Sequence, residues 1–408
     1  MQSLRHLKDN KIVRWAFIAV LAILAAVSVY QGARNALAFS QDLQWDASKA
    51  LAMRLDPYEL SNDPDRTSEY TELASFYKMF TDKGLEQKME ANQFPSLLAL
   101  LFPITVFEPE TARVIWLILN LIFTAGIITL LKNTFFDKAD GYGFAVAMLI
   151  MLAGTPYRNQ LGVGQHTLFA FFFFMLAVWV EKTRPCRSEI ANTLLAAFCL
   201  FVSYFKYTLT APLALYFLYR KRYKELALSV GAHVILTGAS ALWLGKSFAY
   251  VLIAPLKVAS QLGAEGGIDL GVIFGGKVSY VLAFLIAVAL TVICIRMPEG
   301  YERILFLMLI LFSLILTYHR TYDFFVLSAA CAPFITEDGA DKEIFASRKG
   351  LYTALYWVVT VFVYFILRVF NENTVSKVAT GIFYYAFTLA IAWICIAGIN
   401  KTGAKNGR

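Results

Sequence analysis

The residues of this chain that can do chemistry lie in a few short stretches between long apolar runs. Ser40–Tyr58, SQDLQWDASKALAMRLDPY, holds Asp42, Asp46 and Asp56. YHRTYD at 318–323 brings His319, Arg320 and Asp323 together in a chain that has only four histidines. PYRNQLGVGQHT at 156–167 carries Arg158 and Gln165 around Gly162 and Gly164, and Lys206 stands in SYFKYT with apolar sequence on both sides. A carboxylate can take the proton from a hydroxyl as it attacks carbon, which is general-base work. Arginine, lysine or protonated histidine can stabilise the charge that develops on a departing phosphate. This set suits transfer of a sugar from a lipid phosphate.

Each residue also has a blander explanation. Lys206 can snorkel to an interface. Arg158 and Gln165 flank a glycine turn and suit helix capping, His233 in mid-run suits a packed core histidine, and Asp56 before Pro57 suits a turn. What weighs against these is cost: ionisable groups at membrane depth are expensive and by default mark function.

The elements that position these residues are apolar. With 58% hydrophobic and 16% charged residues in 408, against about 25% charged in soluble domains, the chain reads as an all-α polytopic membrane protein. The runs support about 12 crossings at roughly 20 residues each, forming one transmembrane domain over 1–408. Basic loops such as YRKRYK at 219–224 alternate with apolar runs and orient them, so both termini are expected in the cytoplasm. The first crossing is followed by a long extracytoplasmic loop, 32–93, whose ALAMRL and YTELASFYKMF segments suit short amphipathic helices. Residues 94–107, bracketed by Pro95 and Pro103, are too short to cross and are expected to be re-entrant or interfacial. A second long outer loop is expected at 246–277, rich in glycine. On this topology Asp42, Asp46, Arg158, Gln165, Lys206, His319 and Arg320 share the outer face.

The net charge of +8 comes from these loop clusters, so no nucleic-acid partner is expected. The five cysteines show no metal-ligand spacing. Acidic residues at 42, 46, 265 and 269 leave room for a divalent metal without requiring one, and no cofactor is implied. A transporter or flippase would use intramembrane charges as ligands nearer the midplane, and a scaffold would need none of this chemistry.

DLQWD with the downstream LDPY, FPSLLALLFPITVFEPETARVIWLILN, the Gly164-Gln165 pair opening an aromatic-rich helix, Lys206 before Pro212, and YHRTYD together resemble glycosyltransferase family 87, polyprenyl-phosphate-dependent mannosyltransferase-like members of the GT-C superfamily. The resemblance implies a GT-C-like fold and inverting transfer of a mannose-like hexose or a pentose from a polyprenyl-phosphate donor to a glycolipid or glycan acceptor. It makes Asp42 the general base and puts His319 close to the reacting sugar. By their own chemistry Arg320, Lys206, Arg158 and Gln165 are the candidates to bind the donor's phosphate. The resemblance also places the enzyme in a membrane, as expected for a bacterial inner membrane, with its site extracytoplasmic. Two departures stand out. Pro95-Ser96 replaces a Pro-Pro pair, and Trp45-Asp46 replaces an apolar-Tyr pair. Asp46 is thereby a rival base, or, if both acids share a helix face, a like charge that raises the pKa of Asp42.

Overall fold

The computed structural model describes residues 11–39, 42–82, 84, 89–262, 268–336, 344, 349–366 and 374–406. Among them there are helices and turns, with one isolated bridge between Ala139 and Thr336. The helices used below are α1 (Lys11–Phe39), α2 (Trp45–Ala52), α3 (Pro57–Asn62), α4 (Thr71–Asp82), α5 (Pro109–Thr134), α6 (Gly141–Ala153), α7 (Thr155–Val163), α8 (Thr167–Thr183), α9 (Glu189–Ser203), α10 (Tyr207–Tyr219), α11 (Tyr223–Leu244), α12 (Phe248–Leu262), α13 (Leu270–Phe274), α14 (Gly276–Arg296), α15 (Glu302–Leu316), α16 (Lys349–Val361) and α17 (Thr374–Asn406).

Among the described residues, five segments are long and apolar enough to cross a membrane: Lys11–Ala38, Pro109–Thr134, Glu189–Tyr219, Tyr223–Leu244 and Gly276–Arg296. The α7–α8 pair, bent by 107°, makes a sixth if its two halves share one crossing. A count of twelve therefore has to draw on shorter helices such as Gly141–Ala153 and Thr321–Ile335. α1, α11 and α14 turn large apolar side chains outward, among them Trp15, Ile235, Leu242 and Phe284. At the centre lies α15, buried continuously from Arg303 to Leu316, as a helix apolar all round must be. An unusually long 3-10 helix follows it, Thr321–Cys331. Hydroxyls from the last part of the chain hold it, since Tyr364 donates to the carbonyl of Phe325 at 2.6 Å and Tyr356 donates to that of Leu327.

The segment Glu189–Tyr219 does not run straight through. Arg184 contacts both Glu189 (3.3 Å) and Glu225 (3.6 Å), while a straight helix of that length would hold its ends about 45 Å apart. Its C-terminal end returns to its start, where Arg220 and Arg222 both grip the fully buried carboxylate of Glu181, at 3.2 and 3.0 Å. The reversal falls at the 3-10 turn Tyr204–Lys206, so α9 and α10 are the two arms of a hairpin with Lys206 at its apex. Lipid tails are as apolar as leucine, so helix association in a membrane relies on packing and polar contacts more than on hydrophobic force. The Glu181 clamp is such a contact.

Between α1 and α5, the chain forms a cap. α1 continues to Phe39, past residue 32, which shortens the expected first loop from its start. In α4, Leu73, Phe76 and Phe80 are buried on one face, and Trp45 of α2 stacks on Phe76 at 5.2 Å. Residues 94–107 make one four-residue α-turn and two 3-10 turns, interrupted by their prolines. Trp45 and Lys49 fasten this stretch to the cap through the carbonyls of Phe107 (3.1 Å) and Thr105 (3.3 Å). The region 246–277 is mainly helical where it is described, as α12 and α13, because FAYVLIAPLKVASQL carries an apolar face; its glycine-rich centre with Glu265 lies outside the described residues.

Glu181→Ala leaves two arginines facing each other without their carboxylate. It is expected to cost about 3 kcal/mol, read as a lowered unfolding temperature of the detergent-solubilised protein.

Candidate active site

Gly164 starts the site. It ends α7 with φ +67°, a left-handed conformation that glycine adopts without penalty, and so turns the chain sharply into α8. Two bonds pin this turn: Trp116 Nε1 donates to the carbonyl of Gly164 at 2.7 Å, and the backbone N–H of Asp42 donates to that of Val163 at 3.1 Å. The first residue after the turn is Gln165. Its Oε1 accepts from the backbone N–H of His166 at 2.8 Å, which aims the Nε2 amino group outward. Nε2 donates to Asp42 Oδ2 (3.3 Å) and to Tyr322 Oη (2.9 Å). One amide thus joins the loop after α1, the α7–α8 turn and the 3-10 helix after α15.

Asp323 is the second node. Its side chain is wholly buried and takes two hydrogen bonds, from Thr167 Oγ1 at the start of α8 and His319 Nδ1 at 2.8 Å, and an ion pair with Lys206 Nζ at 3.4 Å from the apex of the α9–α10 hairpin. The Lys206 ammonium also lies 5.3 Å from the centre of the Tyr322 ring. His319 is fully buried, and its Nε2 has no hydrogen-bond partner among the described residues. Arg320 donates through Nε to Tyr318 Oη and exerts a larger positive influence on Asp42 than Lys206 does.

Beside these groups opens a cavity of about 560 Å³, lined by Gln165, Lys206, Tyr318 and Tyr322, by Asn92 and Gln93 of the cap, by Asp269, and by α12 and α14. Its size and mixed lining are those of a small-molecule site.

Five of the seven expected residues meet here: Asp42, Gln165, Lys206, His319 and Arg320. Arg158 is set by a different contact, donating to Gln31 of α1 at 2.9 Å from the solvent-facing side of α7. Asp46 does not share a helix face with Asp42. Gln44 between them has φ +58° and starts α2 only at Trp45, so Asp42 lies in a turn outside the helix. Asp46 instead accepts from Tyr77 Oη at 2.9 Å and from the N–H of Ala47 at 2.8 Å. Asp56 caps α3, accepting from the N–H groups of Tyr58 and Glu59 at 3.0 and 3.3 Å.

Three participants lie beyond those seven: Asp323, already noted within YHRTYD, its neighbour Tyr322, and Thr167. Asp323 follows His319 by four and Thr167 follows Gln165 by two, so proximity to named residues was the available signal.

Burial raises the pKa of Asp42 above the usual carboxylate range, opposed first by Arg320 and then by Lys206. Burial also raises Asp46, to about 6, opposed by its bonds from Ala47 and Tyr77. Asp42's like charge is the weakest contribution to that shift, so the two acids are nearly independent.

A membrane protein that is helical through its described residues, with Gln165 and Lys206 lining a cavity beside Asp42, Arg320 and a buried His–Asp pair, has the equipment of a group-transfer enzyme. The family model of glycosyltransferase family 87 matches residues 95–318, more than half of the chain, and the chain belongs to that family of membrane glycosyltransferases. No curated protein and no solved structure matches it significantly. The matched segment holds Arg158, Gln165 and Lys206; His319 follows its last residue, and Asp42 lies well before its start.

The raised pKa of Asp46 has a consequence for stability. Between the ordinary value of 3.8 and about 6, the folded state keeps a proton that the unfolded state has released, so stability falls as pH rises through that window. Asp46→Asn removes the titration. Its unfolding temperature, relative to wild type, is expected to rise from pH 4 to pH 7, and a constant difference across that range contradicts the assignment.

Proposed function

We propose that the chain transfers a sugar, a mannose-like hexose or a pentose, from a polyprenyl-phosphate donor to a hydroxyl of a glycolipid or glycan acceptor, with Asp42 as general base. The acceptor oxygen attacks the anomeric carbon, the bond from that carbon to the phosphate oxygen breaks, Asp42 takes the acceptor's proton, and polyprenyl phosphate leaves with the bonding electrons. Attack opposite the phosphate inverts the anomeric configuration.

The observation that carries this reading is the sharing of Gln165 between Asp42 and Tyr322, on a cavity wall that also presents Lys206. It brings a base and a cation to one site. Lys206 and Arg320 serve the phosphate, where an arginine's planar fork suits two oxygens, and Tyr322 steers the lysine. His319 acts as a positioning residue, holding Asp323, which in turn holds Lys206. Arg158 supports the α7 end of the turn. In this reading the site faces outward from a bacterial inner membrane, both termini are cytoplasmic, and residues 94–107 lie at the interface without crossing. The twelve crossings and the GT-C-like arrangement belong to the same proposal.

Asp42→Asn is expected to lower transfer from polyprenyl-phosphate mannose or its pentosyl counterpart by about 100-fold or more, the usual share of a general base, while the protein still inserts and elutes as wild type. Asp46→Asn is expected to stay within about threefold of wild type. The reverse pattern moves the base to Asp46. Because the base must be ionised, wild-type rate is expected to fall as pH drops through a pKa above 3.8. Movement of the lipid across reconstituted vesicles with no new glycosidic product identifies a flippase instead.

A further inference from the structure

Three residues lining the cavity carry buried oxygens that have no hydrogen-bond partner among the described residues. Asp269 is 3% exposed and Gln93 6%, and both line the cavity. Asp269 is held firmly: its Oδ1 accepts from the N–H groups of Gly271 and Val272 at 3.0 and 3.3 Å. Its Oδ2 has no partner among the described residues. Gln93 is held as well, its Nε2 donating to Asn92 Oδ1 at 3.1 Å and its carbonyl accepting from Tyr58 Oη at 2.8 Å. Its Oε1 likewise has no partner among the described residues, and neither has the hydroxyl of Thr208, a third residue of the same wall.

An unsatisfied buried acceptor is costly and rare in a folded protein. Asp269, Gln93 and Thr208 all line this cavity, and an occupant that supplies hydrogen would satisfy the oxygens they leave unpartnered among the described residues. Asp269 Oδ2, if ionised, and Gln93 Oε1 can only accept, so the occupant must donate from several closely spaced O–H groups. A carbohydrate ring does this. An isoprenoid or acyl chain has nothing to donate, and a phosphate would be repelled by the carboxylate.

We infer that Asp269, with Gln93 and Thr208, reads the hydroxyls of the sugar being transferred. The inference rests on the donor proposed above. Lys206 and Tyr322 line the same cavity, and a sugar ester-linked to phosphate lies one oxygen from it, so a phosphate held at Lys206 delivers its sugar into this space. Asp269 is then a specificity residue and Asp42 the base, with separate tasks on separate loops.

The test uses the full-length protein in nanodiscs and compares affinity for polyprenyl-phosphate mannose, its pentosyl counterpart and bare polyprenyl phosphate. Wild type is expected to bind one sugar-bearing lipid about tenfold more tightly than the bare lipid, the value of one hydrogen bond to a charged group. In Asp269→Ala that ratio is expected to fall to near one, with the bare lipid bound as before. A purely structural loss would weaken both lipids together; should Asp269→Ala do so, Gln93→Leu decides by the same ratio. A variant that keeps the tenfold ratio overturns the sugar-reading role and leaves the donor proposal standing. Failure of wild type to bind any of these lipids overturns the donor proposal, and this inference falls with it.

Discussion

The buried carboxylate of Asp323 is the constraint on which the arrangement depends. It has no access to solvent and is kept in place by a hydroxyl from α8, an imidazole from its own segment and the ammonium of Lys206. A charge in such a place is tolerated only if it is paired and hydrogen-bonded. Each donor therefore has one position, and so do the elements that carry them. Lys206 cannot leave without stranding Asp323, and Asp323 cannot shift without releasing Tyr322, its neighbour, from Gln165. The orientation of the amide toward Asp42 follows at the end of that chain of contacts.

The α9–α10 hairpin shows how this constraint is transmitted through a bilayer. It is tied at its apex by Lys206 to Asp323 and at its base by Arg220 and Arg222 to Glu181. Apolar side chains in lipid gain little from choosing one neighbour over another, whereas a buried carboxylate discriminates sharply among positions. Two carboxylates at opposite ends fix the tilt and depth of the hairpin, and with them the depth of the cavity wall it forms. The apolar packing of α15 and the 3-10 helix fills the space between.

Much of this was legible in the residues. Apolar periodicity and sparse charge defined the helical membrane class, and Asp42, Gln165, Lys206, His319 and Arg320 stood out because polar groups are scarce in such a chain. The site-building role of Asp323 was not legible, since it depends on Thr167 and Lys206 arriving from elsewhere in the sequence. The pairing of Asp42 with Asp46 failed for a local reason: spacing of four suggests a shared face only if the helix is continuous, and Gln44 in a left-handed conformation interrupts it. The clamp of the α9–α10 hairpin at Glu181 needed three dimensions. The second long loop opens with FAYVLIAPLKVASQL, whose apolar face makes it helical despite the glycines that follow.

The central claim is that one cavity brings a phosphate to Lys206 and Arg320 while Asp42 faces the reacting carbon. It is tested most directly by an experimental structure of the Asp42→Asn protein in nanodiscs with polyprenyl-phosphate mannose or its pentosyl counterpart bound. The account predicts phosphate density within hydrogen-bonding reach of Lys206 or Arg320 and the sugar in the cavity, its anomeric carbon on the side of residue 42. Density for the phosphate at Arg158, or on the far side of the membrane from Gln165, would contradict it.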